Sequence, residues 1–136
     1  RMSMLAYSGK QRGKCMINDW LEITKSVGAS LKDLRGGAPE VMKGFGAIAE
    51  GALKAKALDV KTKELIALAI GVAVRCDDCI AFHAKAAVAQ VATDEEIFET
   101  LGMAIYMGAG PSVMYAAHAI EAARQFKNDA AEKARA

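Results

Sequence analysis

Cysteine and proline are scarce in this chain, and it carries no block of charge of one sign. Three cysteines in 136 residues are too few to staple a small secreted fold, and their odd number points to reactive thiols. The two prolines, Pro39 and Pro111, each suit the first turn of a helix. Basic residues outnumber acidic ones by 18 to 16 and are spread along the chain, which argues against nucleic acid as a partner. The longest apolar run, Leu65 to Val74, is about half a membrane span. The run Met2 to Tyr7 is too short for a secretory h-region and ends without a cleavage pattern. A protein without a membrane partner, soluble and cytoplasmic, is therefore expected. No stretch alternates with a period of two, and no repeat or low-complexity segment is present. What remains is a chain 53% hydrophobic, long enough for one domain that buries roughly two-thirds of its unfolded surface.

Helix signals fill that domain. Arg1 is not expected to be a native start, whereas Met16 would make a natural one. Residues 1–15 are expected to be a leader or an added segment, poorly ordered, with Cys15 a bystander; 16–136 form a single all-α domain. Trp20, Leu21 and Val27 have helical spacing, with Gly28 as the expected break and Gly36-Gly37 as a turn. Pro39 leads a helix from about Glu40 to Leu53, with Val41, Phe45 and Ile48 inward. Asp59 is the expected N-cap of a helix from Val60 to Arg75, apolar on nearly every side from Leu65 onward. Such a helix is central or lies in a subunit interface. A helix from Asp77 to Val91 follows, packing through Ile80, Ala84, Ala87, Val88 and Val91. Thr93-Asp94-Glu95-Glu96 reads as a capping box. It opens a helix with Ile97, Leu101 and Ile105 inward. Gly108-Ala109-Gly110 ends it, and Pro111 starts a last helix with Val113, Ala117, Ile120 and Ala123 on one side. Met103, Tyr106, Met107 and Met114 are expected to fill core or interface space. From Lys127 the polar tail should fray.

The chemistry concentrates in Arg75-Cys76-Asp77-Asp78-Cys79-Ile80-Ala81-Phe82-His83. On a helix starting near Cys76, positions 76, 79 and 83 share one face. The positive end of the helix dipole favours thiolate there, the form that attacks peroxides and disulfides. Structural zinc would need a fourth ligand beyond Cys76, Cys79 and His83. Inert burial is opposed by Asp77 and Asp78, which need water or a helix N-terminus. Those carboxylates also raise a neighbouring thiol pKa, so dipole and imidazole must outweigh them. His83 lies one turn beyond Cys79 but two beyond Cys76, which makes Cys79 the expected peroxidatic thiol. His118, one turn from Glu121, reads as a surface or packing residue. Glu64, read alone, is a solvated charge complementing a helix N-terminus.

Glu64-Leu65-Ile66-Ala67-Leu68-Ala69, followed by Cys76-x-x-Cys79-x-x-x-His83, resembles the alkylhydroperoxidase D / carboxymuconolactone decarboxylase family. The glutamate, eleven residues, CxxC, three residues and histidine all match in spacing, and the resemblance covers about Pro39 to Phe126. It implies an all-helical subunit assembled as a trimer or hexamer; the dithiol chemistry is expected to need no bound cofactor, and no metal is expected. It implies a hydroperoxide substrate and an external thiol protein that re-reduces the disulfide. Cys79 would attack peroxide, Cys76 would resolve the sulfenate, and His83 and Glu64 would relay protons. The chain departs from the pattern at Asp78, where the family often has tyrosine or histidine. Rival readings are a lyase using His83 and Glu64 as acid and base, a disulfide reductase or adaptor partner, and a helical assembly with vestigial thiols. Decarboxylase members generally lack the cysteine pair, which favours the redox branch.

Glu64 poses a geometric question. Twelve residues before Cys76, it lies about 18 Å away along an unbroken helix. An antiparallel return would place His83 nearer Ala69. Glu64 then joins the thiols through a break near Gly71, a steep helix crossing, or donation from another subunit.

Overall fold

The computed structural model describes residues 16–136; residues 1–15, with Cys15 and the proposed boundary, lie outside the described residues. Among the described residues all regular structure is helical: α1 (Trp20–Gly37), α2 (Pro39–Leu53), α3 (Val60–Ala73), α4 (Asp77–Ala89) and α5 (Asp94–Arg135). The expected caps are in place. Asp59 accepts from the Thr62 amide, and Thr93 and Glu96 form the reciprocal capping box of α5. Pro39 occupies the first turn of α2. Helix α3 is central, packing on both α4 and α5. Leu68, Val72, Ile80, Ile97 and the alanines Ala84, Ala87, Ala119 and Ala122 are fully buried between them. Small side chains let the helix axes approach closely.

The two joints around α4 are built alike. At the end of α3 the Cys76 amide donates to the Gly71 carbonyl and the Arg75 amide to that of Val72. At the end of α4 the Ala92 amide donates to Ala87 and the Val91 amide to Val88. These six-residue Schellman closures require a left-handed residue. Arg75 (φ 60°) and Val91 (φ 58°) fill that place instead of glycine. They end both helices earlier than hydrophobic spacing suggests, α3 at Ala73 rather than Arg75 and α4 at Ala89 rather than Val91. They also turn Val91 outward, 80% exposed, instead of into the packing face.

Other expectations are corrected. Gly28 does not break α1, which runs through it to Gly37; one glycine costs about 1 kcal/mol in a helix interior, too little to stop it. Gly108–Gly110 does interrupt the regular helix, as a kink inside α5 at Ala109 (φ 54°, ψ −143°) rather than a loop between two helices. Past the kink the inward face is Ser112, Ala116, Ala119, Ala123 and Phe126, while Val113 and Ala117 are exposed. Residues after Lys127 stay helical to Arg135: Phe126 is buried, Lys127 pairs with Asp94, and Lys133 with Asp129 one turn back.

Helix α2 buries no residue, and Val41, Phe45 and Ile48 are 72%, 63% and 69% exposed rather than inward. Met103, Tyr106, Met107 and Met114 on α5 are also exposed, so they fill no subunit core. The Lys61 ammonium, 2.7 Å from Glu96, ties α3 to α5. That ammonium, and then the Thr93 amide, hold the Glu96 carboxyl below its ordinary value. A carboxyl lowered on folding stabilises the fold above its unfolded pKa and loses that contribution as pH falls through the folded value.

Candidate active site

Cys76 belongs to two helices at once. Its amide closes α3 on Gly71, and its sulfur caps α4, accepting the Cys79 amide at 3.1 Å. Cys76 and Cys79 are joined by a disulfide, with Cα atoms 5.2 Å apart. Both sulfurs therefore sit at the dipole-positive end of α4. The opposing helix makes room: a Cβ on Gly71 would lie 3.3 Å from the Cys79 Cβ and 3.4 Å from the Ile80 nitrogen. Glycine at 71 serves the close crossing of two helices, and α3 is unbroken there.

That crossing answers the question posed by Glu64. His83 lies one turn beyond Cys79 on α4, and its Nδ1 is 2.7 Å from Glu64 Oε2 of the same chain. Neither a helix break nor a second subunit is needed to bring these two side chains together. The reach of two long side chains overcomes the backbone offset that would have placed His83 beside Ala69. Glu64 is not a solvated helix-end charge: it is 6% exposed and lies on the face of α3 that buries Leu65, Leu68 and Val72. An ionised Glu64 accepts a hydrogen bond from Nδ1–H, the tautomer that leaves Nε2 as the basic nitrogen. About a third of the imidazole side chain remains exposed, while the carboxylate beneath it is buried. A base oriented by a buried carboxylate is suited to moving protons.

His118 is a packing residue, set against the rings of Trp20 and Tyr115, and it and Glu121 each have a partner other than one another. Glu121 accepts from the Trp20 indole at 2.9 Å and from the amides of Ile17 and Asn18. His118 Nδ1 lies 3.1 Å from Asp77 Oδ1, on the residue after Cys76. The available signal was the stripe Ala116, Ala119, Ala123, which brings α5 close to its neighbours and turns an adjacent imidazole toward them. Asp78 is exposed. Among the described residues no cluster of three or more histidine, cysteine or acidic side chains could hold a metal ion. No described helix is long and apolar enough to cross a membrane.

The sequence profile of the carboxymuconolactone decarboxylase family matches residues 39–122, from the start of α2 to beyond His118. The chain belongs to the carboxymuconolactone decarboxylase family. Among solved structures, a carboxymuconolactone decarboxylase family protein from Legionella pneumophila is 52% identical, covering 79% of this chain and 96% of its own, with a TM-score of 0.78. A family member from Thermotoga maritima, for which involvement in an antioxidative response has been suggested, is 28% identical. It covers 82% of this chain and 95% of its own, with a TM-score of 0.73. An uncharacterized protein of Haemophilus influenzae is 38% identical over 107 residues, 79% of this chain and 95% of its own. The all-helical fold is thus that of carboxymuconolactone decarboxylase family subunits.

Proposed function

We propose that this family member is a thiol-dependent peroxidase of the alkylhydroperoxidase type. The observation that carries the reading is the bonded Cys76–Cys79 pair at the start of α4, one turn before an imidazole held by a buried carboxylate. In the reduced protein His83 Nε2 takes the Cys79 proton, and the thiolate attacks the distal oxygen of a hydroperoxide. The O–O bond breaks, the proton passes to the departing alkoxide, and alcohol leaves with Cys79 as sulfenic acid. The Cys76 thiol then condenses with the sulfenic acid of Cys79, releasing water and closing the disulfide. An external dithiol protein reopens it by exchange and is itself oxidised. A cytoplasmic setting, where dithiols are kept reduced, suits that cycle. The chemistry needs no cofactor. The lyase alternative uses the same His83 and Glu64 but gives the disulfide no part.

The test is consumption of an organic hydroperoxide by purified protein with and without a dithiol donor. Catalytic turnover with donor, and about one equivalent without, is expected. Loss of no peroxide from the reduced protein would remove this reading.

Assembly into a homo-oligomer, a trimer or hexamer by family resemblance, is part of the proposal. Its support is apolar surface: Val41, Phe45 and Ile48 on α2 and Ile66, Ile70 and Val74 on α3 are exposed in the isolated subunit. Light scattering at micromolar concentration should give a multiple of the subunit mass. A monomer would contradict it, and Phe45→Glu should drive the equilibrium toward smaller species.

A further inference from the structure

Two histidine–carboxylate pairs flank the dithiol, and the proposed peroxidase cycle uses one of them. The other joins His118 on α5 to Asp77, the first residue of α4 and the immediate neighbour of Cys76. His118 is well held. Its ring lies 4.9 Å from that of Tyr115 and 5.9 Å from that of Trp20. Trp20 is fully buried, and its indole N–H is fixed on Glu121. The groups facing the imidazole are Asp77 from α4, Trp20 from α1 and Tyr115 from its own helix. Glu121, one turn on, is occupied by the indole and by the amides of Ile17 and Asn18. An aromatic shelf therefore aims one imidazole at one carboxylate, that of the residue next to Cys76 in the chain.

The consequence is electrostatic. The α4 N-terminus favours a Cys76 thiolate, and a free carboxylate on the next residue opposes it. A hydrogen bond from Nδ1–H satisfies and disperses the Asp77 charge, and it holds the carboxylate on α5. We infer that His118 is a positioning residue for the dithiol: by engaging Asp77 it raises the thiolate fraction of reduced Cys76. In the cycle above, that thiolate attacks the Cys79 sulfenic sulfur. The S–S bond forms as the S–O bond breaks, and the departing hydroxide takes up a proton as water. The benefit to disulfide closure rests on the peroxidase reading, but the effect on the thiol does not.

The experiment isolates Cys76 in reduced Cys79→Ser protein and follows its alkylation by iodoacetamide at pH 7. Peptide mass spectrometry keeps Cys76 separate from Cys15. Adding His118→Phe, which keeps the ring and removes the donor, should slow Cys76 alkylation by about threefold to tenfold. Adding Asp77→Asn to that protein should restore the rate, because the uncompensated charge is then gone. His118→Gln, which still offers a donor to Asp77, should stay within about twofold of the parent. An unchanged rate in a folded His118→Phe protein, or a loss that Asp77→Asn does not reverse, overturns the inference. Should His118→Phe not fold, Asp77→Asn in the Cys79→Ser protein decides: a rate equal or faster agrees, and a several-fold fall overturns it. Absence of peroxide turnover in the unsubstituted protein would refute the peroxidase reading alone and leave the alkylation result standing.

Discussion

Cys79→Ser should abolish hydroperoxide turnover, a loss of about 10³-fold or more, whereas Cys76→Ser should retain a single turnover. The asymmetry follows from the helix. His83 lies one turn from Cys79 on α4, and Cys76 occupies the cap, a turn further from the imidazole. A serine hydroxyl is a far weaker nucleophile than a thiolate at neutral pH, so removing the attacking sulfur removes the first step. Removing the resolving sulfur leaves that step intact and strands Cys79 as a sulfenic acid, which a dimedone-type probe traps by mass spectrometry. Trapping in Cys79→Ser but not in Cys76→Ser would reverse the assignment. The case runs against the CxxC oxidoreductases in which the first cysteine attacks, which makes the result informative either way.

The second large effect concerns the buried pair. His83→Ala should cost about 2–3 kcal/mol of stability at neutral pH, because Glu64 is left as a buried carboxylate without its partner. The figure lies below the 3–5 kcal/mol of a fully buried ion pair because about a third of the imidazole side chain is exposed and water can follow it in. The second-order rate constant of peroxide attack should fall by about 10²-fold or more as the base is lost. Glu64→Gln separates the two roles. Its amide oxygen still accepts from Nδ1–H, so stability should change by less than about 1 kcal/mol. With no anion to stabilise the imidazolium, the attack rate should still drop by at least about tenfold. Urea unfolding alongside stopped-flow peroxide kinetics measures both. A Glu64→Gln protein of unchanged rate would reduce the carboxylate to a packing group.

The helices were legible where local chemistry dictates them. Asp59, Thr93 with Glu96, and Pro39 announce helix starts by hydrogen bonds that close within a few residues. The CxxC-to-histidine spacing likewise stays on one helix, so its face could be read directly. Partnerships between helices could not. Nothing in the residue pattern says that Glu64 meets His83, since that depends on how α3 and α4 cross at Gly71; family resemblance carried the expectation. For the same reason the packing role of His118 is legible but its partner is not: Glu121 is its neighbour in sequence, and Asp77 lies 41 positions away. The joints misled differently. Arg75 and Val91 sit where glycine is the usual sign of a helix end, so the apolar pattern suggested longer helices. The outward faces of α2 and α5 carry the same residues a core would, and sequence alone does not tell a core from a contact surface.

The paired joints at Cys76 and Ala92 bear on how the chain finds its fold. From Asp59 to Phe126 the three consecutive helices α3, α4 and α5 pack on one another and hold most of the core within one stretch of chain. Low contact order of that kind goes with fast folding. The start of α1 is held differently. The Trp20 amide bonds to Gln125, a separation of 105 residues, and the Trp20 indole to Glu121. Closing so long a loop is costly in an open chain, but stacking α3, α4 and α5 first brings Glu121 and Gln125 within reach and shortens the effective span. The single tryptophan thus reports the docking of α1, and its fluorescence change on refolding is expected to follow that long-range closure.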